Sequence, residues 1–155
     1  MKKRKMTAVI HCGSSAAREG SCEYGCTGCG ACAEACKKEA VVLPEGGPAY
    51  IDREKCVGCG RCAKVCKRQI ITLEPAENTI LVRCSGRAPA KEARELCRNS
   101  CIRCGICEKN CPAGAVRVRD GAAVIDGEKC LSCGMCAGKC PQGAIYDVNG
   151  IFTAK

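Results

Sequence analysis

The chain has 155 residues, of which 20 are cysteine, three tyrosine, one phenylalanine and none tryptophan. So few large apolar side chains cannot fill one conventional core, since small domains already bury a low fraction of their surface; a covalent or metallic staple is required. The formal charge of +9 invites a nucleic-acid reading, but residues 1–78 hold 13 Lys and Arg against 9 Asp and Glu and residues 79–155 hold 12 against 7, with no basic stripe of interleaved aromatics.

The chain opens with Met1–Lys5, read as a solvated basic tail, and then Thr7-Ala8-Val9-Ile10, too short for the apolar region of a signal peptide. No run approaches the ~18 apolar residues of a transmembrane helix. A soluble, cytoplasmic chain without direct membrane insertion is therefore expected, and in a reducing cytosol dense cysteine points to metal rather than disulfides. His11, the only histidine, is expected on the surface. It also excludes a Rieske centre, which needs two imidazoles on one iron. Residues 1–21 form an N-terminal segment, followed by a first module at 22–83, a helical linker at 84–100 and a second module at 101–155.

Four segments repeat Cys-x2-Cys-x2-Cys-x3-Cys: CTGCGACAEAC (26–36), CVGCGRCAKVC (56–66), CIRCGICEKNC (101–111) and CLSCGMCAGKC (130–140). In the bacterial ferredoxin run of this form, three thiolates bind one [4Fe–4S] cluster and the fourth ligates its neighbour. Cys26 and Cys101 are 75 residues apart, Cys56 and Cys130 74, so the chain is a tandem of two two-cluster modules. Gly30, Gly60, Gly105 and Gly134 follow the second Cys of each run, where a missing Cβ allows close backbone approach. The last two ligands of each run are four apart, on one face of a short helix that can lie between two clusters. Pro112 and Pro141 would end that helix in the second module.

Ligands are assigned crosswise: Cys26, Cys29, Cys32 and Cys66 hold one cluster, and Cys56, Cys59, Cys62 and Cys36 its neighbour. In the second module Cys101, Cys104 and Cys107 pair with Cys140, and Cys130, Cys133 and Cys136 with Cys111. A four-cysteine zinc site also uses Cys-x2-Cys, but it has no use for a third Cys at the same step in all four runs. The expected complement is four [4Fe–4S] clusters, with no catalytic residues.

The predicted fold class is α+β, with small antiparallel sheets and short helices over buried clusters. Strand pairs are read at Ala40–Leu43 with Ala49–Asp52, Ile70–Glu74 with Thr79–Arg83, Ala115–Arg119 with Ala122–Asp126 across a hairpin-favouring Asp-Gly, and Ala144–Val148 with Ile151–Thr153 across Asn-Gly. The linker carries Ala88-Pro89-Ala90 and then Ala, Glu, Arg and Leu up to Arg98, a helix signal. Such a helix would fix one module against the other.

The clusters also cancel the charge. An oxidised core of about +2 with four thiolates adds about −2 per site, so four sites leave about +1, and one-electron reduction of all four about −3. Lys37, Lys38, Lys67 and Arg68 stand where the second module has Pro112-Ala113 and Pro141-Gln142. They read as solvated surface, or, more sharply, as positive charge that raises the first module's potentials. Cys12, Cys22, Cys84 and Cys97 lie outside the runs at irregular spacings and are read as unligated thiols; a fifth metal site or a disulfide are the alternatives.

The order GSCEYGCTGCGACAEAC, VRCSGRAPAKEARELCRNSCIRCGICEKNCPAGAVRV and AAVIDGEKCLSCGMCAGKCP resembles the polyferredoxin part of the B subunit of the Rnf electron-transport complex. Ala8-Val9-Ile10-His11-Cys12-Gly13 is similar to the segment leading into that part. The resemblance takes in Cys22, Cys84 and Cys97 and implies an electron carrier between soluble ferredoxin and partner subunits. The membrane helix and extra cluster domain of the Rnf subunit are not found in this sequence; a naturally short soluble relative is expected, with a fragment as the alternative.

No nucleophile–base pair, Gly-rich phosphate loop or substrate-pocket signature accompanies the cysteines. The expectation is a non-catalytic electron-wire subunit in a hetero-oligomer, between a redox partner such as ferredoxin and a soluble oxidoreductase with a flavin or a molybdenum/tungsten centre. The alternatives are a diffusible polyferredoxin or Rnf-type component, and a cluster-based redox sensor or scaffold.

Overall fold

The computed structural model describes residues 4–12, 22–45 and 48–151. Its elements repeat one unit twice: strand, helix, hairpin, helix, strand. The first unit is β1 (Met6–Ile10), α1 (Ala31–Ala35), β2 (Val41–Val42), β3 (Tyr50–Ile51), α2 (Arg61–Val65) and β4 (Ile71–Pro75). The second opens with β5 (Ile80–Val82), takes up the helix α3 (Ala90–Leu96), and continues with α4 (Ile106–Asn110), β6 (Val116–Arg119), β7 (Ala122–Ile125), α5 (Met135–Lys139) and β8 (Ile145–Asp147). The linker helix expected from Pro89 onward is α3, with Pro89 at its N-cap.

Each unit closes by pairing its first strand with its last. β1 runs antiparallel to β4, with Met6 opposite Pro75 and Ile10 opposite Ile71. β5 runs antiparallel to β8, with Ile80 opposite Asp147 and Val82 opposite Ile145. The hairpins β2–β3 and β6–β7 form as read from the sequence. A third predicted pairing is corrected. Ile70–Glu74 does not pair with Thr79–Arg83, because each of those strands is claimed by a partner from the far end of its own unit. At the C-terminal end, Asp147 turns the chain: its carboxylate accepts from the N–H groups of Asn149 (2.9 Å) and Ile151 (3.1 Å) around Asn149-Gly150. Phe152 and Thr153 lie outside the described residues.

Two small cores result. Ala8 and Ile10 from β1 meet Ala40, Ala49, Ile70 and Ile71 around Cys56 and Cys62. Ile80 and Val82 from β5 meet Val116, Ala123, Ala137 and Ile145 around Cys107 and Cys136. β5, within the 22–83 range expected of the first module, thus fills the second core. Ile80 and Ile145 are fully buried, each contributing about 1.5–3 kcal/mol by burial. Alanine and cysteine supply much of the rest, so both cores are built around sulfur.

The units are joined closely. Val9 and Leu81 line one cleft between them, and Arg53 donates to the carbonyls of Ala76 (2.9 Å) and Asn78 (2.7 Å) in the turn that links β4 to β5. Arg4 and Lys5, read as part of a solvated tail, are exposed as expected but anchored: Arg4 pairs with Glu77 and with Glu128 (2.6 Å), and the Lys5 carbonyl accepts from Ala76 N–H at 2.8 Å. Met1–Lys3 lie outside the described residues. His11 is likewise not a surface residue. Half-buried at the end of β1, it donates from Nδ1 to the Val82 carbonyl and holds Nε2 against Thr72 Oγ1, both at 2.7 Å. Among the described residues no helix is long and apolar enough to cross a membrane.

Candidate metal centres

Each cysteine run folds the same way. Its first two cysteines lie on a loop, a glycine switches the backbone into the left-handed region, and a five-residue helix carries the third cysteine and ends at the fourth as its C-cap. The glycines that precede the helices, Gly30, Gly60, Gly105 and Gly134, have φ between +73° and +80°. That is the reason for glycine here, since L side chains are strained in this region. Protein neighbours do not demand glycine here: a Cβ at Gly30 or Gly60 would meet only a leucine methyl at ordinary contact, and one at Gly105 no protein atom within 4 Å.

Backbone N–H groups face the sulfurs. Gly28 and Ser132 donate to Cys26 and Cys130, two residues back, both at 3.4 Å. Ala40, Ala115 and Ala144 donate to Cys36, Cys111 and Cys140, four residues back, at 3.4, 3.3 and 3.2 Å. From the sheets, Ala8 reaches Cys56 and Ala123 reaches Cys101, both at 3.3 Å. Such donors stabilise thiolate and tune whatever the thiolate binds.

Two cavities gather cysteines across the runs. One, of about 230 Å³, is lined by Cys26, Cys29, Cys32 and Cys66 with Ile10, Leu43, Ile70 and Ile71. The other is lined by Cys101, Cys104, Cys107 and Cys140 with Ile102, Ile106 and Ile145. In both, the fourth cysteine comes from the partner run, not from the end of the same run. Outside these cavities, Cys62 lies beside Cys56 and Cys32, and Cys136 beside Cys130, Cys111 and Cys107. Cys59 and Cys133 sit at exposed rims, as do Cys29 and Cys104.

Burial pushes the Cys107 thiol up to about 11 and that of Cys136 up to about 12, and raises Cys32 and Cys62 as well. At the rim the Ala31 N–H lowers Cys29. At Cys56 burial pushes upward, but the N–H donors of Ala8 and Gly58 are among those that outweigh it. A buried set of thiols this reluctant to ionise needs a cation to hold it as thiolate. The donor set is sulfur alone, which selects zinc or iron–sulfur. Among the described residues no three of the His, Cys, Asp or Glu side chains could hold a single metal ion, whereas zinc draws its four sulfurs to about 2.3 Å from one point. Four sulfurs from two runs around one cavity are the donor set a [4Fe–4S] cluster takes.

The cysteines outside the runs, expected as unligated thiols, come together in the fold. Cys12, Cys22, Cys84 and Cys97 all line one cavity at the junction of the units. The sequence carries a signal for this, for Cys22 precedes Cys26 by four residues and Cys97 precedes Cys101 by four.

Three family models, each of a 4Fe-4S dicluster domain, match this chain over residues 25–70, 55–116 and 100–145. The chain is built of ferredoxin-type 4Fe–4S domains. Over 108 residues the chain is 43% identical to the B subunit of the ion-translocating oxidoreductase complex of Methanosarcina acetivorans. It is 40% identical, also over 108 residues, to the B subunit of the Na(+)-translocating ferredoxin:NAD(+) oxidoreductase complex of Acetobacterium woodii. The resemblance read from the cysteine order is borne out. Each match covers 70% of the chain, which spans only 41% and 32% of the lengths of these two relatives. A formate dehydrogenase–heterodisulfide reductase–formylmethanofuran dehydrogenase complex from Methanospirillum hungatei overlaps at a TM-score of 0.32 and 21% identity, covering 79% of this chain and 51% of that one.

Proposed function

We propose that this polyferredoxin is a non-catalytic electron-transfer subunit with four [4Fe–4S] clusters, held crosswise by the sixteen cysteines of the four runs. The observation that carries the reading is the pair of cavities in which Cys66 joins Cys26, Cys29 and Cys32, and Cys140 joins Cys101, Cys104 and Cys107. Bound clusters supply one-electron storage and release. The chain's own residues do the rest: thiolates grip the iron, backbone N–H groups of Ala8, Gly28, Ala40 and their counterparts stabilise the sulfurs, and the isoleucines and Leu43 keep water from the inner faces.

The identity to the B subunits of two ion-translocating complexes favours a hetero-oligomer of the Rnf type. There the chain would accept electrons from ferredoxin on the cytoplasmic side and pass them to a flavin-bearing partner. A soluble enzyme with a molybdenum or tungsten centre is the second reading.

Anaerobic isolation of the tagged chain, with co-purifying proteins identified by mass and metals counted, tests both levels. Cys29→Ala and Cys66→Ala should perturb the same reduced-state EPR signal, and Cys36→Ala a different one. Zinc in place of iron, or Cys66→Ala and Cys36→Ala acting on the same signal, would end the crosswise reading.

A further inference from the structure

The cavity at the junction of the two units is a site of its own. Cys12, Cys22, Cys84 and Cys97 line it together with Ser100 and Cys101. The four cysteines come as two equivalent pairs. Cys12 stands two residues beyond β1 and Cys84 two beyond β5; Cys22 and Cys97 each stand four residues before the first cysteine of a run. Each unit therefore contributes the same pair of positions to one shared space.

The local geometry is that of a ligand loop. A Cβ on Gly25 would lie 3.1 Å from Cys12 Sγ and 3.7 Å from Cys22 Sγ, so both sulfurs crowd onto the bare face of that glycine. Cys84 Sγ accepts from the N–H of Gly86 at 3.3 Å and of Cys101 at 3.2 Å. The bond from two residues ahead is the one that Gly28 makes to Cys26 and Ser132 to Cys130 within the runs. Ser100 adds an independent sign: it is 5% exposed, and its Oγ has no hydrogen-bond partner. A buried hydroxyl left without a partner costs about 1–3 kcal/mol, and a bound group with sulfur acceptors would satisfy it. His11 also borders the cavity, but its two ring nitrogens are occupied by Val82 and Thr72, which leaves thiolates as the ligands.

We infer that Cys12, Cys22, Cys84 and Cys97 hold a further [4Fe–4S] cluster, a fifth beyond those of the four runs. Four sulfurs and no carboxylate suit iron–sulfur or zinc, which a metal count separates. Place gives the site its purpose. Cys101 borders both this cavity and that of Cys104, Cys107 and Cys140, while Gly25 leads directly into Cys26. A cluster here would stand between the two units and make their arrays continuous.

The inference goes beyond the sixteen-cysteine reading and can fail separately from it. The full chain, reconstituted anaerobically to constant metal content, is expected to hold about 20 irons and as many sulfides, four per cluster. Cys84→Ala and Cys97→Ala should each drop the count by about four while leaving the signals of the motif clusters in place, and Cys29→Ala should drop it by about four through a motif cluster. Where a variant fails to fold, the wild type answers alone: in native alkylation Cys12, Cys22, Cys84 and Cys97 should be protected, and become labelled once iron is chelated away. A wild-type count of about 16 with those four thiols labelled under native conditions would overturn the inference and leave the motif reading standing. A single zinc, or a disulfide within the four found by non-reducing peptide mapping, would overturn it as well. A Cys29→Ala variant that lost no iron would instead strike the motif reading.

Discussion

The side-chain amide of Asn78 donates to the carbonyl oxygen of Gly127 across 2.8 Å, tying the turn between β4 and β5 to the loop that leaves β7. Asn78 is buried, and its own carbonyl accepts from Arg53. Gly127 is pressed so close that a Cβ on it would lie 2.6 Å from Glu74 Oε2 and 2.8 Å from Pro75 Cδ. The junction of the two units is thus a packed interface that keeps the two sets of cysteines in fixed relation.

Replacing Asn78 by Ala leaves the Gly127 carbonyl without its donor in a buried place, a cost of about 1–3 kcal/mol. Iron–sulfur proteins that lose their clusters on unfolding are read by rate rather than by equilibrium. The expected result is a faster bleaching of cluster absorbance in guanidinium, by roughly 5- to 150-fold if the cost falls on the native state alone. An unchanged rate would mean that the junction is held elsewhere, for example by the Arg4 pairs with Glu77 and Glu128.

Gly58 and Gly105 separate two reasons for a glycine. Both have positive φ, +70° and +73°. A Cβ on Gly58 would lie 2.5 Å from the Met6 carbonyl oxygen and 2.8 Å from its carbon, backbone atoms that cannot move without displacing β1, whereas one on Gly105 would meet no protein atom within 4 Å. Gly105→Ala should cost only the left-handed strain, about 1–2 kcal/mol. Gly58→Ala should cost that and the β1–β4 closure, seen as loss of protection of the β1 amides in hydrogen exchange. Equal effects of the two would refute the argument.

What the sequence made legible was local. The Cys-x2-Cys-x2-Cys-x3-Cys period placed loop, glycine and helix at four positions without knowledge of the fold, and Asp120-Gly121 announced the β6–β7 turn. Strand pairing over long distance was not legible. Ile71–Pro75 and Ile80–Val82 are separated by a short turn and look like a hairpin, but their partners lie at Met6–Ile10 and Ile145–Asp147. No local pattern records that each unit closes first strand to last. The gathering of Cys12, Cys22, Cys84 and Cys97 escaped for the same cause: the two pairs look irregular until the units are superposed on their strands.

The units also exchange a pair of strained positions. Between the first two cysteines of each run, the first unit has Gly28 and Gly58 at positive φ where the second has Arg103 and Ser132; three residues past the last cysteine the second has Gly114 and Gly143 where the first has Glu39 and Gln69, both at +53°. Arg103 and Ser132 are partly compensated, by contacts to the Ala88 carbonyl at 3.4 Å and the Thr79 N–H at 3.2 Å. Glu39→Gly and Gln69→Gly should relieve left-handed strain of about 1–2 kcal/mol, offset in large part by about 0.4–1 kcal/mol of added freedom in the unfolded chain, so that each stabilises by about 0.5 kcal/mol. Slower bleaching in denaturant checks this; faster bleaching by either variant would show that its side chain holds the loop after the fourth cysteine.

Lys67 offers the sharpest electrostatic prediction. It lines the cavity of Cys26, Cys29, Cys32 and Cys66, where Pro141 lines the matching cavity of the second unit. Its charge joins the Ala31 N–H, the larger influence, in favouring thiolate at Cys29. Reduction adds one negative charge to a bound cluster, so a cation at its rim stabilises the reduced form and raises the potential. The group is exposed, and at a surface-like dielectric the effect is about 1 kcal/mol or less per electron, some tens of millivolts. Lys67→Gln should lower the potential of that one cluster in an EPR-monitored redox titration, more so at low salt because exposed charges are screened within about 10 Å at 0.1 M. Pro141→Lys should raise its counterpart's. Lys37, exposed beside the other end of the pair and absent from the cavity lining, should give the smaller shift when changed to Gln. Equal shifts for Lys37 and Lys67 would mean that total charge, not placement, sets these potentials, and no shift at either would leave the lysines as solvated surface.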